Sequence, residues 1–524
     1  MPRILWADDE IDLLRPHVLF LEAKGYDVAT VTNGSDAVEK VRAGRYDVVF
    51  LDEQMPGLGG LDALQAIKTL QPEMPVVMIT KSEEEGVMED AIGRQIADYL
   101  IKPVNPKQIL LTCKRLLDGA EMRQEQAQRD YLQGFGEIAG RLGSGLGWAE
   151  WTELYARLVR YDLELDGADD GVRQILLDQH KDANAAFCKF VEGTYERWIA
   201  DTRAGKKPIE TGRPPLSHEV LSTFVVPELR EQKRPVVFFL IDCLRYDQWL
   251  SIEPLLYPHF EVEKTWYGGL LPTATPFARN ALFAGLLPTD IAARYPQRWK
   301  HADRDEDASL NEHEPEYLQD FLQRKHLNTR ARYEKLVSSD DGQTFASKVL
   351  DYLQHDLSAI VVNFVDILTH SRSDSSVLKE IAPDERAFRA LTRTWFEHSW
   401  LYEALVALSR HDCTIVLTTD HGAVRSLRAT KVIGDRETST SLRYKHGRNL
   451  KVDTADAIFA KDPETFGLPR AGLNENYIFA KEDHYFVYPT NYHRYLNQYH
   501  DTFQHGGVSL EEMVLPVVTL KPRR

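Results

Sequence analysis

"RPVVFFLIDCLR", residues 234–245, is an apolar run of strand length that closes on an aspartate. Two later stretches repeat the pattern: "LSAIVVNFVDILTH" (357–370) and "DCTIVLTTDHG" (412–422). Short, continuous apolar runs suit strands buried on both faces of a sheet. Helical patterns lie between them, so the chain from 218 to 524 reads as α/β, with three strands each ending in an acid. Ligands of such sheets bind beyond the carboxyl ends of the strands. Asp242, Asp366 and Asp420 are therefore candidate site residues.

The same alternation occupies residues 1–118, with strands expected at "RILWA" (3–7), "DVATV" (27–31), "DVVFL" (47–51), "PVVMIT" (75–80) and "DYLI" (98–101). Residues 119–205 carry no strand pattern. Long amphipathic runs such as "WTELYARLVRYDLEL" (151–165) and "ANAAFCKFVEGTYERWI" (183–199) predict a helical bundle, and "GRLGSGLGW" (140–148) separates helices. Residues 206–217, rich in proline, glycine and charge, read as a linker.

The bulk numbers narrow the function. The chain has 524 residues, 43% hydrophobic and 27% charged, an ordinary globular composition for about three domains. Its formal net charge of -17 repels nucleic acid on average, and there is no evident helix-turn-helix, so duplex-DNA binding is not expected. The four cysteines are scattered without a CxxC pair, as in a reduced, cytoplasmic protein. No apolar run is long enough to span a bilayer.

In the first region Asp8 and Asp9 follow strand one, Asp52 follows strand three in "FLDEQMPG", Thr80 ends strand four, and Lys102 follows strand five. Clustered carboxylates repel unless a cation sits among them, and hard oxygens suit Mg²⁺. A lysine adds a point charge for phosphoryl oxygens.

The C-terminal region offers Asp242, Thr275, Asp366, His370, Asp420, His421 and His505. Aspartate and histidine hold Zn²⁺ through oxygen and nitrogen. Four-residue spacing puts Asp366 and His370 on one helical face. The adjacent Asp420 and His421 can serve one metal or bridge toward two. Thr275, in "LLPTATPFARNALFAGLLP" (270–288), precedes Pro276 and a helical run. It is expected at a helix N-terminus, where free N–H groups favour phosphate. Two metals can clamp a phosphate and activate such a hydroxyl. Arg279 and Asn280, one turn on, are candidate contacts for phosphate oxygens. From Arg425 to Lys451 eight basic residues face two acidic ones. They could form a basic lip for a polyanion, with Lys445 and His446 as its substrate contacts.

Residues 1–118 resemble a response-regulator receiver domain of flavodoxin-like fold. The resemblance implies that Asp52 accepts a phosphoryl group. It implies that Asp8, Asp9, Asp52 and the Gln54 carbonyl organise Mg²⁺, that Thr80 and Lys102 contact the phosphoryl group, and that Tyr99 switches with Thr80. Lys81 departs from the pattern, which usually has a small residue there. "PTATPFARNALFAGLLP" and the acid–imidazole set resemble the alkaline phosphatase superfamily, especially its nucleotide pyrophosphatase/phosphodiesterase members. That implies one zinc on Asp242, Thr275, Asp420 and His421, a second on Asp366, His370 and His505, Thr275 as nucleophile and Thr273 as structural.

Receiver, helical bundle and this domain together resemble the PorX-type two-component response regulators, whose effector is a PglZ domain. That family implies a zinc phosphodiesterase acting on cyclic or linear oligonucleotides, a sensor histidine kinase partner, a phosphorylation-dependent homodimer, and a role in type IX secretion. The alternative is a catalytically silent, metal-containing scaffold for a protein partner such as a sigma factor.

Overall fold

The computed structural model describes residues 2–71, 74–81, 96–231, 234–299, 311–435, 441–470, 472, 474–490 and 492–523. The chain divides into two compact units, 1–132 and 133–524.

The first unit holds β1 (Arg3–Ala7), β2 (Asp27–Val31), β3 (Val48–Asp52), β4 (Val76–Thr80) and β5 (Asp98–Ile101), in the order β2-β1-β3-β4-β5. All pairings are parallel. Side chains alternate along each strand, so one sheet builds two cores. Leu5, Ala7, Val49 and Leu51 enter one, and Ile4, Trp6, Val48 and Phe50 enter the other. Register aligns the strand ends: Ala7 lies beside Leu51, Asp52 beside Ile79 and Thr80 beside Ile101. Asp8, Asp52, Thr80 and Lys102 are thereby gathered at one edge. Gly60 starts the helix that follows β3; a Cβ there would lie 2.2 Å from the Asp52 carbonyl oxygen.

In the second unit, helices Trp148–Glu164 and Asp170–Arg203 pack large aromatics inward, Trp151 against Phe187 at 5.3 Å and Trp198 against Tyr195 at 6.0 Å. Residues 206–217 are held firmly: Arg213 is buried and donates to Glu219 and to the Lys206 and Pro214 carbonyls.

The main sheet contains β6 (Val236–Ile241), β7 (Phe260–Gly268), β8 (Ala331–Leu336), β9 (Leu357–Val362), β10 (Thr414–Thr418) and, last in the chain, β18 (Val514–Pro522), ordered β7-β18-β10-β6-β9-β8. β10, β6, β9 and β8 are parallel, while β18 and β7 add an antiparallel edge. Every residue of β6, β9 and β10 is buried, as their apolar runs demand. Small sheets join β11 (Val424–Ser426) to β17 (Thr502–Gln504), β12 (Arg428–Lys431) to β16 (His484–Val487), and β13 (Tyr444–Arg448) to β15 (Glu475–Ala480) and β14 (Ala457–Ala460).

One expectation is corrected. Asp366 does not end a strand: β9 stops at Val362, and Asp366 lies in the first turn of the helix Phe364–Asp374. An acid is favoured there by the helix dipole.

Candidate functional site

β6 and β10 are neighbours, and the residues leaving them are laced together. The Cys243 amide donates to Asp420 Oδ1 at 3.3 Å and the Leu244 amide to Thr419 Oγ1 at 3.0 Å. Cys243 takes a left-handed backbone, φ 64°, which a non-glycine residue adopts only where its surroundings fix it. Asp242, Asp420 and His421 meet in full burial; His421 Nε2 is 3.6 Å from Asp242 Oδ1 and 3.5 Å from Asp420 Oδ2. Gly422 is required beside them, because a Cβ would sit 2.0 Å from the Glu511 carbonyl oxygen.

Thr275 is the first residue of the helix Thr275–Ala284 and stands over this group. Its hydroxyl lies 2.9 Å from His421 Nε2 and 3.4 Å from Asp242 Oδ1. The helix offers phosphate fewer amides than expected: Pro276 has no N–H, and the Phe277 amide turns back to the Ala274 carbonyl. Thr273 is wholly buried, donating to the Gly507 carbonyl and accepting from the Gly506 amide, and so pins the loop that carries His505.

Asp366, His370 and His505 form a second group, with His370 Nε2 and His505 Nε2 at 3.4 and 3.9 Å from Asp366 Oδ1. In each triad one ligand atom per residue lies within 4.8 Å of the others. The two groups adjoin through His421 and His505, whose rings stack at 4.3 Å. Asp420 and His421 thus turn toward one group rather than bridging two.

Burial, then repulsion from Asp420 and Asp366, pushes the Asp242 carboxyl well above its ordinary range. Burial pushes Asp420 up to about 6, and lowers His421 and, more strongly, His505. Asp366 Oδ1, Asp420 Oδ2 and His505 Nδ1 are buried without a hydrogen-bond partner among the described residues. Carboxylate oxygens and neutral imidazoles that crowd together unsatisfied fit divalent cations, which would remove the repulsion.

The expected phosphate contacts are corrected. Arg279 is fully buried and committed: Nη1 donates to Asp242 Oδ2 at 2.6 Å, and Nε and Nη2 to Glu314 at 2.7 and 3.0 Å. Asn280 donates to the Pro276 carbonyl and accepts from Asn311. Lys445 and His446 are buried on β13, Lys445 donating to the Ser441 carbonyl and His446 meeting Glu475. Three cations of the expected basic lip are neutralised by acids distant in sequence. Arg425 pairs with Asp501, Arg428 with Glu482 and Asp483, and Arg443 with Glu512; Arg436 lies outside the described residues.

Sequence reasoning missed Glu314, Asn311 and Tyr333. Asn311 donates to the Thr275 carbonyl and to Glu314, and Tyr333 donates to Glu314. The available signal was Arg279 itself: a cation inside the apolar run "FARNALFAG" requires a buried acid.

In the first unit, Asp8, Asp9 and Asp52 cluster, with Asp8 and Asp52 buried and Asp9 exposed. Lys102 Nζ lies 2.9 Å from Asp8 Oδ2 and 3.0 Å from Asp52 Oδ2. Burial pushes Asp52 up to about 6 against the opposing hydrogen bond from Lys102. Three carboxylates with oxygen donors only fit Mg²⁺. Gln54 follows two residues beyond Asp52, the Thr80 hydroxyl donates to Glu53, Tyr99 is 37% exposed, and Lys81 extends outward, 3.7 Å from Glu10.

Comparison with known proteins finds three family domains along the chain. The response regulator receiver domain profile matches residues 4–114, the PorX response regulator linker domain 121–199, and the BREX system PglZ alkaline phosphatase-like domain 220–520. The alginate biosynthesis transcriptional regulatory protein AlgB of Pseudomonas syringae is 38% identical over 133 residues, 25% of this chain and 29% of AlgB. The transcriptional regulatory protein ResD of Bacillus subtilis is 31% identical over 115 residues, 22% of this chain and 48% of ResD. The chain thus spans between 29% and 48% of these two relatives' lengths. Among solved structures, the chemotaxis protein CheY4 of Vibrio cholerae is 28% identical, covering 22% of this chain and 99% of its own, with a TM-score of 0.22. No helix among the described residues is long and apolar enough to cross a membrane.

Proposed function

Because this chain belongs to the PglZ alkaline phosphatase-like family and is a response regulator with the PorX architecture, we propose that it is a phosphorylation-controlled, zinc-dependent phosphodiesterase. Its substrates would be cyclic or linear oligonucleotides, and Thr275 its nucleophile. The observation that carries this reading is the Thr275 hydroxyl 2.9 Å from His421 and 3.4 Å from Asp242, beside a second acid–imidazole group.

Asp242, Asp420 and His421 would hold one cation and Asp366, His370 and His505 the other. Such cations supply charge neutralisation for phosphate and a lowered pKa for the threonine hydroxyl. The Thr275 hydroxyl gives its proton to solvent water, its Oγ forms a bond to phosphorus as the bond to the leaving ester oxygen breaks, and that oxygen takes a proton from water. Water then cleaves the bond between phosphorus and Thr275 Oγ, which releases the remaining phosphomonoester and restores the hydroxyl. Arg279 acts behind the site, holding Asp242 in place through the Glu314 clamp.

Receiver domains take their phosphoryl group from sensor histidine kinases, and Asp52 is the proposed acceptor. The addition of charge beside Lys102 would draw Thr80 away from Glu53 and let Tyr99 move inward, a two-state change suited to making a dimer. Control of type IX secretion and contact with a sigma factor are the outputs that the architecture suggests.

The test compares bis(p-nitrophenyl) phosphate, a linear dinucleotide, a cyclic oligonucleotide and p-nitrophenyl phosphate, with zinc and with chelator. Diesters should turn over faster than the monoester, and Thr275→Val should lower the rate by about 10³-fold or more. A Thr275→Val protein of undiminished rate, or preference for the monoester, would defeat the reading.

A further inference from the structure

Side chains at one register position of neighbouring parallel strands share a face of the sheet, and alternate residues along a strand return to it. Phe238 on β6, Ala359 on β9 and Tyr333 on β8 form one such row, and Leu240, Val361 and Lys335 form the next row of the same face toward the strand ends. That face carries the helix Thr275–Ala284, whose Phe283 meets Phe238 at 6.3 Å and Tyr333 at 5.4 Å. Asp242, two residues past Leu240, keeps the pattern, its amide donating to the Val362 carbonyl at 2.9 Å. The residues between belong to the other face: Phe239 meets Phe345, and Glu334 accepts from Arg332 and Tyr352. Lys335 therefore stands beside the helix that begins with Thr275, on the edge strand β8, two strands across from Asp242.

Lys335 is half-buried and makes no hydrogen bond or ion pair among the described residues. The acids that act on it are already committed. Glu314 Oε1 accepts from Arg279 Nε and from Asn311, and Oε2 accepts from Arg279 Nη2 and from Tyr333. Asp242 accepts from Arg279 and faces Thr275 and His421. Burial lowers the Lys335 ammonium below its ordinary range, Arg279 adds to this, and Glu314 and Asp242 oppose it. With Asp242 given to a cation, Glu314 balances Arg279 and Lys335 is the surplus charge. A half-buried ammonium without an acid is costly, and an anion arriving from solvent offsets that cost. Arg279, Asn280, Lys445 and His446 have no such freedom, since each is engaged within the protein.

We propose that Lys335 is a specificity-determining residue of the diesterase site, where its ammonium receives the phosphate next to the one that is cleaved. The proposal rests on the reading of Thr275 as nucleophile. Strands about 4.8 Å apart put β8 about 10 Å from β6. An offset of that size suits the adjoining phosphate of a nucleotide chain better than the phosphorus under attack over Asp242. The contact is a charge-assisted hydrogen bond, so it selects chains with successive phosphates over isolated diesters.

A dinucleotide with phosphates at both ends, compared with the same dinucleotide without them, tests this on the intact, zinc-loaded protein. Wild type should cleave the phosphorylated form with the higher kcat/KM. Lys335→Gln should erase that preference, a relative loss of about tenfold, and Lys335→Arg should retain most of it. Lys335 has no partner to lose, so Lys335→Gln should melt no lower than wild type and bind as much zinc. Titration calorimetry in the Thr275→Val protein reads the same contact without turnover: adding Lys335→Gln should weaken the phosphorylated dinucleotide about tenfold. Absent turnover with binding that depends on Lys335 would sink Thr275 as nucleophile and keep the phosphate contact. A wild type indifferent to the terminal phosphates, no binding of the phosphorylated dinucleotide, or a preference and affinity unchanged by Lys335→Gln overturns the proposal; normal turnover beside any of these leaves the role of Thr275 intact.

Discussion

The two acid clusters of this protein solve one electrostatic problem in opposite ways. In the receiver, Lys102 sits among the acids and ion-pairs with Asp8 and Asp52, and Asp9 remains exposed. In the C-terminal unit, Asp242, Asp420 and His421 are fully buried, and the nearest cation, Arg279, reaches one oxygen of Asp242 from behind. A cluster that carries its own counter-charge and opens to water can release and regain a metal. A buried one made of oxygen and imidazole nitrogen depends on its metals to relieve repulsion. The difference suits the proposed roles, a signalling site that would turn over a phosphoryl group and a hydrolytic site that would keep its ions.

The largest effect should come from breaking the buried cluster. Asp420→Asn is expected to lower bound zinc, read by elemental analysis of the gel-filtered protein, and to reduce diester hydrolysis by about 10³-fold or more. Phosphorylation of the receiver by acetyl phosphate should be unchanged. Asp52→Asn should give the mirror image: no phosphorylation, with full zinc. If Asp420→Asn kept its zinc, the contrast between the clusters would fail.

Next in size is the response to chelation. Brief treatment with EDTA and return to Mg²⁺ buffer should restore receiver phosphorylation at once. Hydrolysis, once lost on prolonged chelation, should return only on addition of zinc. Recovery of both activities with Mg²⁺ alone would show that the two sites do not differ in the way their donors suggest.

Much of this contrast was legible in the chain. The apolar runs fixed the strands because burial on both faces leaves a plain signature, and β1, β2 and β5 fall on the expected residues. Strand-terminal acids follow from the same pattern, so both clusters could be named in advance. Side-chain commitments could not. Arg279, Lys445 and His446 were assigned to substrate by type and neighbourhood, yet each is spent elsewhere: Arg279 on Glu314 and His446 on Glu475, both far off in sequence, and Lys445 on the nearby Ser441 carbonyl. Charge counted along a segment says where cations are, while the fold decides which acids reach them. Asp366 shows the same limit at finer scale: the apolar run 357–362 continues into a helix whose first turn looks like more strand.

The Arg279 clamp gives a smaller, more specific effect. Arg279→Lys keeps the charge but cannot span Asp242 and Glu314, because its N–H donors all sit on one nitrogen where Arg279 uses three. Hydrolysis and zinc affinity are expected to fall about 10–100-fold, followed by kcat and by zinc titration against a competing chelator. An unchanged zinc affinity would remove Arg279 from the support of Asp242.

The smallest effect is on pH-dependent stability, and here one buried group in each unit should act in opposite directions in metal-free protein. Burial lowers His218, in the C-terminal unit, to about 4. Between 6.5 and that value the unfolded chain binds a proton that the folded one refuses. The stability that neutral His218 contributes to the C-terminal unit, at most about 3 kcal/mol, is therefore lost as pH falls through this window, against the raised carboxyls of Asp242 and Asp420 in the same unit. Asp52 is raised from 3.8 to about 6, chiefly by burial. The folded receiver then holds a proton that the unfolded chain has released. Its contribution is present at the acid end and is lost as pH rises from about 4 to 6. Calorimetry of the full chain in EDTA should show the two unfolding transitions changing their spacing on acidification. His218→Gln should remove the acid-side loss from the C-terminal transition, and Asp52→Asn should flatten the response of the receiver. Mg²⁺ should erase the Asp52 effect, because a cation among the acids favours the ionised carboxylate whatever its burial. A receiver transition whose pH response is the same with and without Mg²⁺ would mean that Asp52 does not face the cation, and the opposition of the two clusters would lose its physical basis.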